Sequence, residues 1–274
     1  MTPDEPALSA KEQTAGAPRA VVTGASSGIG LALARRLVEQ GYDVVVAAED
    51  AELESAAATL GGSGREVTAV RVDLSLPEGV DELYQRATAG GPVDVLALNA
   101  GIGVGGSFTE TSIEDDLRLV DLNVRSTVHL AKLVGRDMVA RGSGRILVTA
   151  SIAAKAPGPF HATYAASKAF VHSFAEGIRV ELQDTGVTVT SLMPGPTDTD
   201  FFERADMEDT RIGQGPKDDP DEVAADGVRA LLEGRDHVVA GSLKNKVMAA
   251  GSSVSPDAVA AKAMGRMTEP GSGS

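Results

Sequence analysis

Tyr164 and Lys168 stand four residues apart in the run Tyr164-Ala165-Ala166-Ser167-Lys168. On a helix that spacing puts both side chains on one face. A phenol with a pKa near ~10 is a poor base at neutral pH, and a neighbouring ammonium favours its phenolate. The pair therefore suits moving a proton to or from a substrate oxygen. Ser151 lies thirteen residues before Tyr164. A hydroxyl there can hydrogen-bond the same oxygen as its charge changes. Taken alone, the pair has a plainer reading, a solvated lysine beside a packed tyrosine. Its weight comes from the elements that must position it.

Those elements alternate. Residues 19–23 form a short β-branched run that leads through a glycine-rich turn into a helix over 29–40. Strands follow at 43–48, 66–72, 93–98, 145–149 and 187–192, with 237–241 as a seventh. Helices fill the gaps at 51–60, 76–89, 112–141 (one long stretch), 162–184 and 220–233. Val44, Val45 and Val46 are an unbroken apolar run, the mark of a strand buried on both faces. The expectation is one α/β domain, a doubly wound parallel seven-stranded sheet of the Rossmann type over residues 19–242. Residues 1–18 read as a flexible leader. Residues 243–274 read as a helical extension and tail, with an amphipathic helix over 254–267 that serves packing or dimer contact rather than a lid, and a loose end at 270–274. Ser151 follows the fifth strand, at the carboxyl edge where such sheets bind ligands.

The first turn, Thr23-Gly24-Ala25-Ser26-Ser27-Gly28-Ile29-Gly30, spaces its glycines G-x-x-x-G-x-G. The helix behind it aims free N–H groups and a positive dipole end at the turn, which suits a pyrophosphate. No G-x-x-x-x-G-K-[ST] is present, so a triphosphate loop is not supported. The second strand ends in Glu49-Asp50, with no Arg or Lys there or in the turn. A carboxylate accepts from a ribose 2′-OH and repels a 2′-phosphate. Glu49 or Asp50 thus favours NAD over NADP, unless these acids only start the next helix.

Composition bounds the rest. The chain has 274 residues, 42% of them hydrophobic and only 3% aromatic, so the core is built from Ala, Val, Leu and Ile. A net charge of −14 repels nucleic-acid phosphates and anionic lipid. The absence of cysteine removes disulfides, thiolate metal sites and a cysteine nucleophile. His129, His161, His172 and His237 show no metal-ligand spacing, so no metal is expected. His161, three residues before Tyr164, lies where substrate can reach it. No signal peptide or membrane span is read, and the expected location is the cytoplasm.

These motifs, in this order over about residues 19–241, resemble the short-chain dehydrogenase/reductase family. The matching features are the Thr23–Gly30 turn, Asn99-Ala100-Gly101, Asn123, Ser151, Tyr164 with Lys168, and Pro194-Gly195. The resemblance implies hydride transfer between NAD(P) and a secondary alcohol or ketone. In it Tyr164 is the proton donor or acceptor, Lys168 lowers its pKa and holds the nicotinamide ribose, and Ser151 orients the substrate oxygen. Asn123 would hold a relay water. Gly24, Ser26, Ser27, Gly28, Ile29 and Gly30 would surround the pyrophosphate and adenosine ribose, with Asp73 and Leu74 at the adenine and Asn99, Ala100 and Gly101 beside the ribose. Thr197 and Thr199 fall where the family holds the carboxamide, although Thr197 replaces the family's usual Val. Read locally, Asn99-Ala100-Gly101 is also an Asx-type turn, Asn123 a helix kink and Asp73 a helix cap. The same fold also serves dehydratases, epimerases and cofactor-binding sensors. The substrate walls are expected in 102–108, 152–161 and 199–207, with Phe108, Phe160, Phe201 and Phe202 available for a moderately apolar substrate. The family usually forms dimers or tetramers through the helices at 112–141 and 162–184, so a homodimer or homotetramer is expected.

Overall fold

The computed structural model describes residues 16–242, 245 and 256–273. The seven strands are β1 (Arg19–Thr23), β2 (Asp43–Ala48), β3 (Val67–Arg71), β4 (Val95–Leu98), β5 (Gly144–Thr149), β6 (Val187–Met193) and β7 (His237–Val239). They form one sheet in the order β3-β2-β1-β4-β5-β6-β7, every neighbouring pair parallel. The order reverses between β1 and β4, which opens a crevice at the carboxyl ends of those strands.

Alternate residues of each strand feed opposite cores, because side chains along a strand alternate faces. Val21, Val45, Val70, Leu96 and Ile146 pack with Leu83, Val134 and Val171. Val22, Val46, Ala97 and Leu147 pack with Leu33, Leu53 and Val228. The first layer belongs to α3 (Pro77–Thr88), α5 (Ser126–Arg141) and α6 (Ala162–Leu182). The second belongs to α1 (Gly28–Glu39), α2 (Glu52–Gly61) and α9 (Pro220–Leu232). Both faces are thus covered, which is why the strands read as continuous apolar runs.

The long helix expected at 112–141 is present with an interruption. Ser112 caps α4 (Ile113–Val120), accepting from the Asp115 N–H at 3.3 Å. A π turn then spans Asp121–Arg125 before α5 begins. Asn123 lies in that turn. The Ser126 hydroxyl donates back to the Leu122 carbonyl, and Thr127 to the Asn123 carbonyl at 2.8 Å, serving acceptors that the wide turn loosens.

Beyond β6 lie two short helices, α7 (Phe201–Arg204) and α8 (Arg211–Gln214). The final helix, α10 (Asp257–Thr268), packs on α8, and its expected start at 254–255 lies outside the described residues. The end of the chain departs from the loose tail expected. Gly271 N–H donates to Asp209 Oδ2 at 2.7 Å and Gly273 N–H to the Asp209 carbonyl at 2.8 Å. Arg211 donates to the Ser272 carbonyl at 2.9 Å. Small residues at 271–273 allow that close approach. Most of the leader at 1–18 and the stretches 243–244 and 246–255 are outside the described residues.

Candidate active site

One cleft at the carboxyl edge of the sheet is bordered by Gly24, Ser26, Ser27, Gly28, Ile29, Gly30, Glu49, Asp73, Leu74, Asn99, Ala100 and Gly101. The same cleft continues past Ser151, Tyr164, Lys168, Pro194, Gly195, Thr197 and Thr199. Of the residues expected in catalysis or cofactor binding, Asn123 alone is not part of that lining.

The glycine turn is built for close approach. Gly24 has φ +65°, a conformation glycine adopts without strain. A Cβ on Gly30 would lie 1.9 Å from the Gly24 carbonyl oxygen, so the turn closes only on glycine. Thr23, fully buried, locks the turn to β4. Its hydroxyl accepts from the Asn99 and Ala100 N–H groups at 2.9 and 3.0 Å, and the Asn99 amide donates to the Thr23 carbonyl at 3.1 Å. Asn99-Ala100-Gly101 is therefore a fixed wall of the cleft and not a free turn. Ser27 opens α1 with no bond from its side chain to the helix, leaving that hydroxyl available at the helix N-terminus.

Beside the glycine turn the two acids after β2 separate. Asp50 Oδ2 accepts from Ser26 Oγ at 2.8 Å, while Asp50 Oδ1 is buried with no partner. Glu49 instead pairs with Arg118 at 2.5 Å, and Arg71 donates to the Glu49 carbonyl at 2.9 Å. Arg118 also lies 3.9 Å from Asp73. Burial raises the Asp73 carboxyl, but bonds from the Ser75 hydroxyl and N–H, with the Arg118 charge, outweigh it and hold the group below its ordinary pKa. Arg118 is 69 residues from Glu49, so no local pattern in the sequence announces it.

Ser151 caps a 3₁₀ turn (Ile152–Lys155), its oxygen accepting from the Ala153 N–H at 3.1 Å. Its hydroxyl bonds the Tyr164 phenol, which works against the effect of burial. Burial still dominates and pushes Tyr164 up to about 12. Lys168 sits 5.8 Å from the Tyr164 ring centroid and donates to the Thr149 carbonyl at 2.9 Å. Burial pushes its ammonium down to about 8. The Thr149 hydroxyl itself is buried without a partner.

Asn123 is buried and its amide is fully engaged. Oδ1 accepts from Ile102 N–H at 2.9 Å, and Nδ2 donates to the Ile102 carbonyl at 2.9 Å and to Ser167 Oγ at 3.0 Å. A methyl on Gly101 would lie 3.1 Å from Asn123 Oδ1 and 3.2 Å from Lys168 Nζ. Asn123 and Lys168 thus converge on the Gly101–Ile102 strip.

The substrate walls differ from expectation in part. Phe201 packs on Tyr164 with ring centroids 5.0 Å apart, and Phe202 and Met207 border the cleft. Phe108 is 72% exposed and is not in its lining, and neither is Phe160, at φ +60°. Ile212, Met264 and Thr268, unforeseen in the sequence, complete the outer wall. His161 borders the cleft as expected, its Nδ1 3.0 Å from the Pro159 carbonyl. Among the described residues no three His, Cys, Asp or Glu side chains cluster as metal ligands, and no helix is long and apolar enough to cross a membrane.

Comparison with known proteins points the same way. Residues 18–209 match the family described as short chain dehydrogenase. An uncharacterized oxidoreductase of Staphylococcus saprophyticus is 35% identical over 217 residues, covering 78% of this chain and 91% of that protein. A short-chain dehydrogenase from Sphingobium yanoikuyae, solved with NADPH, superposes with TM-score 0.76 at 30% identity, covering 81% of this chain and 87% of the other. One from Burkholderia phymatum, solved with NAD, gives TM-score 0.75 at 28% identity over 81% and 88%.

Proposed function

The chain belongs to the short-chain dehydrogenase/reductase family and is a nicotinamide-dependent oxidoreductase, and from that premise we propose that it interconverts a secondary alcohol and a ketone with NAD. The observation that carries this reading is the meeting of Ser151, Tyr164 and Lys168 in the same cleft as the glycine turn. Bound there, the nicotinamide cofactor supplies or accepts the hydride. The chain's own groups handle the oxygen and the proton. Ser151 donates to the substrate oxygen and fixes its direction. Tyr164, protonated at neutral pH, gives its proton to a ketone oxygen in reduction and takes it back in oxidation. Lys168, as ammonium, opposes the burial of a phenolate. Asn123 positions Gly101–Ile102 and Ser167.

The residues present fit a dinucleotide. Gly24 and Gly30 let the turn close tightly against Asn99 and Ala100, so that the N-terminus of α1 at Ser27 and Gly28 borders the cleft where a pyrophosphate would lie, and Asp50 Oδ1 is a buried acceptor in need of a donor. A ribose 2′-OH meets that need, whereas a 2′-phosphate would face a carboxylate. Asp50 rather than Glu49 is thus the residue we assign to NAD preference. Thr197 spends its hydroxyl proton on the Gly195 carbonyl at 2.9 Å, while Thr199 only accepts, from Phe201 N–H at 3.3 Å. Thr199 therefore keeps a proton for the carboxamide. The substrate is an apolar carbonyl compound, matched to Phe201, Phe202, Met207, Ile212 and Met264. A homodimer would cover Ile113, Leu117 and Phe170, which are 61%, 56% and 45% exposed on α4 and α6. Light scattering at twice the mass of one 28.0 kDa chain is the expected result.

The test is a screen of alcohols and ketones with NAD and NADP in parallel, read by absorbance at about 340 nm. Net change in reduced cofactor is expected. A dehydratase or epimerase would turn over substrate without it, and a sensor would bind cofactor only. Tyr164→Phe is expected to lower kcat by on the order of 10² to 10⁴-fold, the range of a lost general acid, with Kd for NADH nearly unchanged. Full activity in that variant overturns the assignment. Asp50→Ser should weaken NAD more than NADP.

A further inference from the structure

One turn behind the catalytic pair stands a second polar chain. Tyr164, Lys168 and His172 follow one another at intervals of four, on one face of α6. Lys155 follows Ser151 by four and ends the 3₁₀ turn that begins at the Ser151 cap. His172 Nε2 lies 2.9 Å from Lys155 Nζ, and His172 Nδ1 lies 2.9 Å from Ser191 Oγ. Ser191 is fully buried in β6. An ammonium has no lone pair, so Nε2 must accept from Lys155. The neutral ring then carries its proton on Nδ1 and donates it to Ser191.

We infer that the Lys155–His172–Ser191 chain is a pH-sensitive staple, with His172 as a positioning residue that holds the Ser151 turn against the helix bearing Tyr164 and Lys168. The inference rests on the oxidoreductase reading above. Three elements meet at the ring: the 3₁₀ turn, α6 and β6. When His172 gains a proton, Nε2 stops accepting and an imidazolium faces an ammonium at contact distance. The staple then opens, and Ser151 loses its register with Tyr164.

The surroundings of the ring lower its pKa on balance, with one group opposed. Burial and the Lys155 charge push the His172 pKa down, Glu176 one turn along α6 pushes it up, and His237 of β7 pushes it down. The His237 ring centroid is 6.4 Å from that of His172, and His237 is itself 3.4 Å from Asp236. The neutral, bonded form therefore persists through neutral pH and is lost on acidification below the ordinary histidine range near ~6.5.

The test compares wild type with His172→Gln, His172→Phe and Lys155→Met. Hydrogen exchange of the amides in 151–156, corrected for intrinsic rates, is read at about pH 8 and about pH 5.5. Wild type should exchange on the order of 10-fold faster at the acid pH. His172→Gln keeps an acceptor for Lys155 and a donor for Ser191 but has nothing to titrate. Its exchange should be flat, its kcat at about pH 8 within roughly threefold of wild type, and its acid limb of kcat absent. His172→Phe should exchange fast at both pH values and lose about 10-fold in kcat, with KM and the Kd for NADH nearly unchanged. Where His172→Phe fails to fold, Lys155→Met decides, since it removes the donor from a partly exposed site. Exchange identical in wild type and His172→Gln at both pH values, or unchanged in Lys155→Met, overturns the staple. The exchange readings need no turnover. Absence of turnover with every alcohol and ketone counts instead against the oxidoreductase reading.

Discussion

Burial acts in opposite senses on the two groups that must share a proton. It pushes the Tyr164 phenol up to about 12 and the Lys168 ammonium down to about 8. Tyr164 is thus a ready donor at neutral pH. Lys168 holds its charge below about 8 and loses it above. Ketone reduction needs both protonated, so its kcat is expected to stay level toward neutral pH and to fall as pH rises past about 8. Lys168→Arg, with a guanidinium that does not titrate there, should shift that limb upward; stopped-flow rates across the range check it. At this scale the sequence was informative wherever chemistry is local. Tyr164 and Lys168 share a helix face, and Ser151 follows a strand, so their spacing foretold their meeting. The choice between Glu49 and Asp50 was not legible. Asp50 is selected by the Ser26 bond and Glu49 is drawn off by Arg118, a partner from a distant helix.

Among the elements, the π turn at Asp121–Arg125 is the one whose cause is tertiary. Asn is a poor interior helix former. Here its amide makes three bonds outside the helix, two of them to the backbone of Ile102. Those bonds fix the strip between β4 and the site. Asn123→Ala leaves the Ile102 N–H and carbonyl without their partners, at a cost of about 1–3 kcal/mol for a buried group left unmade. A lower Tm is expected, together with a fall in kcat, since Gly101 faces Lys168. Asn123→Asp still accepts from the N–H but cannot donate to the carbonyl, so it should not restore either value. Calorimetry and steady-state kinetics on the two variants check this. The strands and main helices were legible because apolar runs and period-four faces are written locally. The π turn showed in the sequence only as a kink read at Asn123, because the bonds that hold it depend on the folded position of Ile102.

Across the whole molecule, the chain's end returns to the site. The sequence showed a helix after the sheet but not its docking place, which depends on surfaces brought together by folding. Thr268, almost fully buried, donates to the Pro159 carbonyl at 2.8 Å, the same carbonyl that His161 Nδ1 meets at 3.0 Å. Gly265 packs near Pro159, and the residues after α10 bond Asp209 and Arg211. Packing and closure are therefore one task for this helix: Met264 and Thr268 form cleft wall while α10 lies on α8. The helix meets the cleft through α8, which carries Ile212, and on the reading proposed above that is the substrate side. Removing residues 256–273 should therefore act unequally on the two halves of the cleft. The Kd for NAD is expected to stay within about twofold, because Gly24, Gly30 and Asp50 keep their supports. KM for the best substrate of the screen should rise on the order of 10-fold, as a lost apolar wall of one or two side chains implies. Equal losses at both ends would mean that the segment supports the fold as a whole. Isothermal titration with NAD beside steady-state kinetics separates the two outcomes.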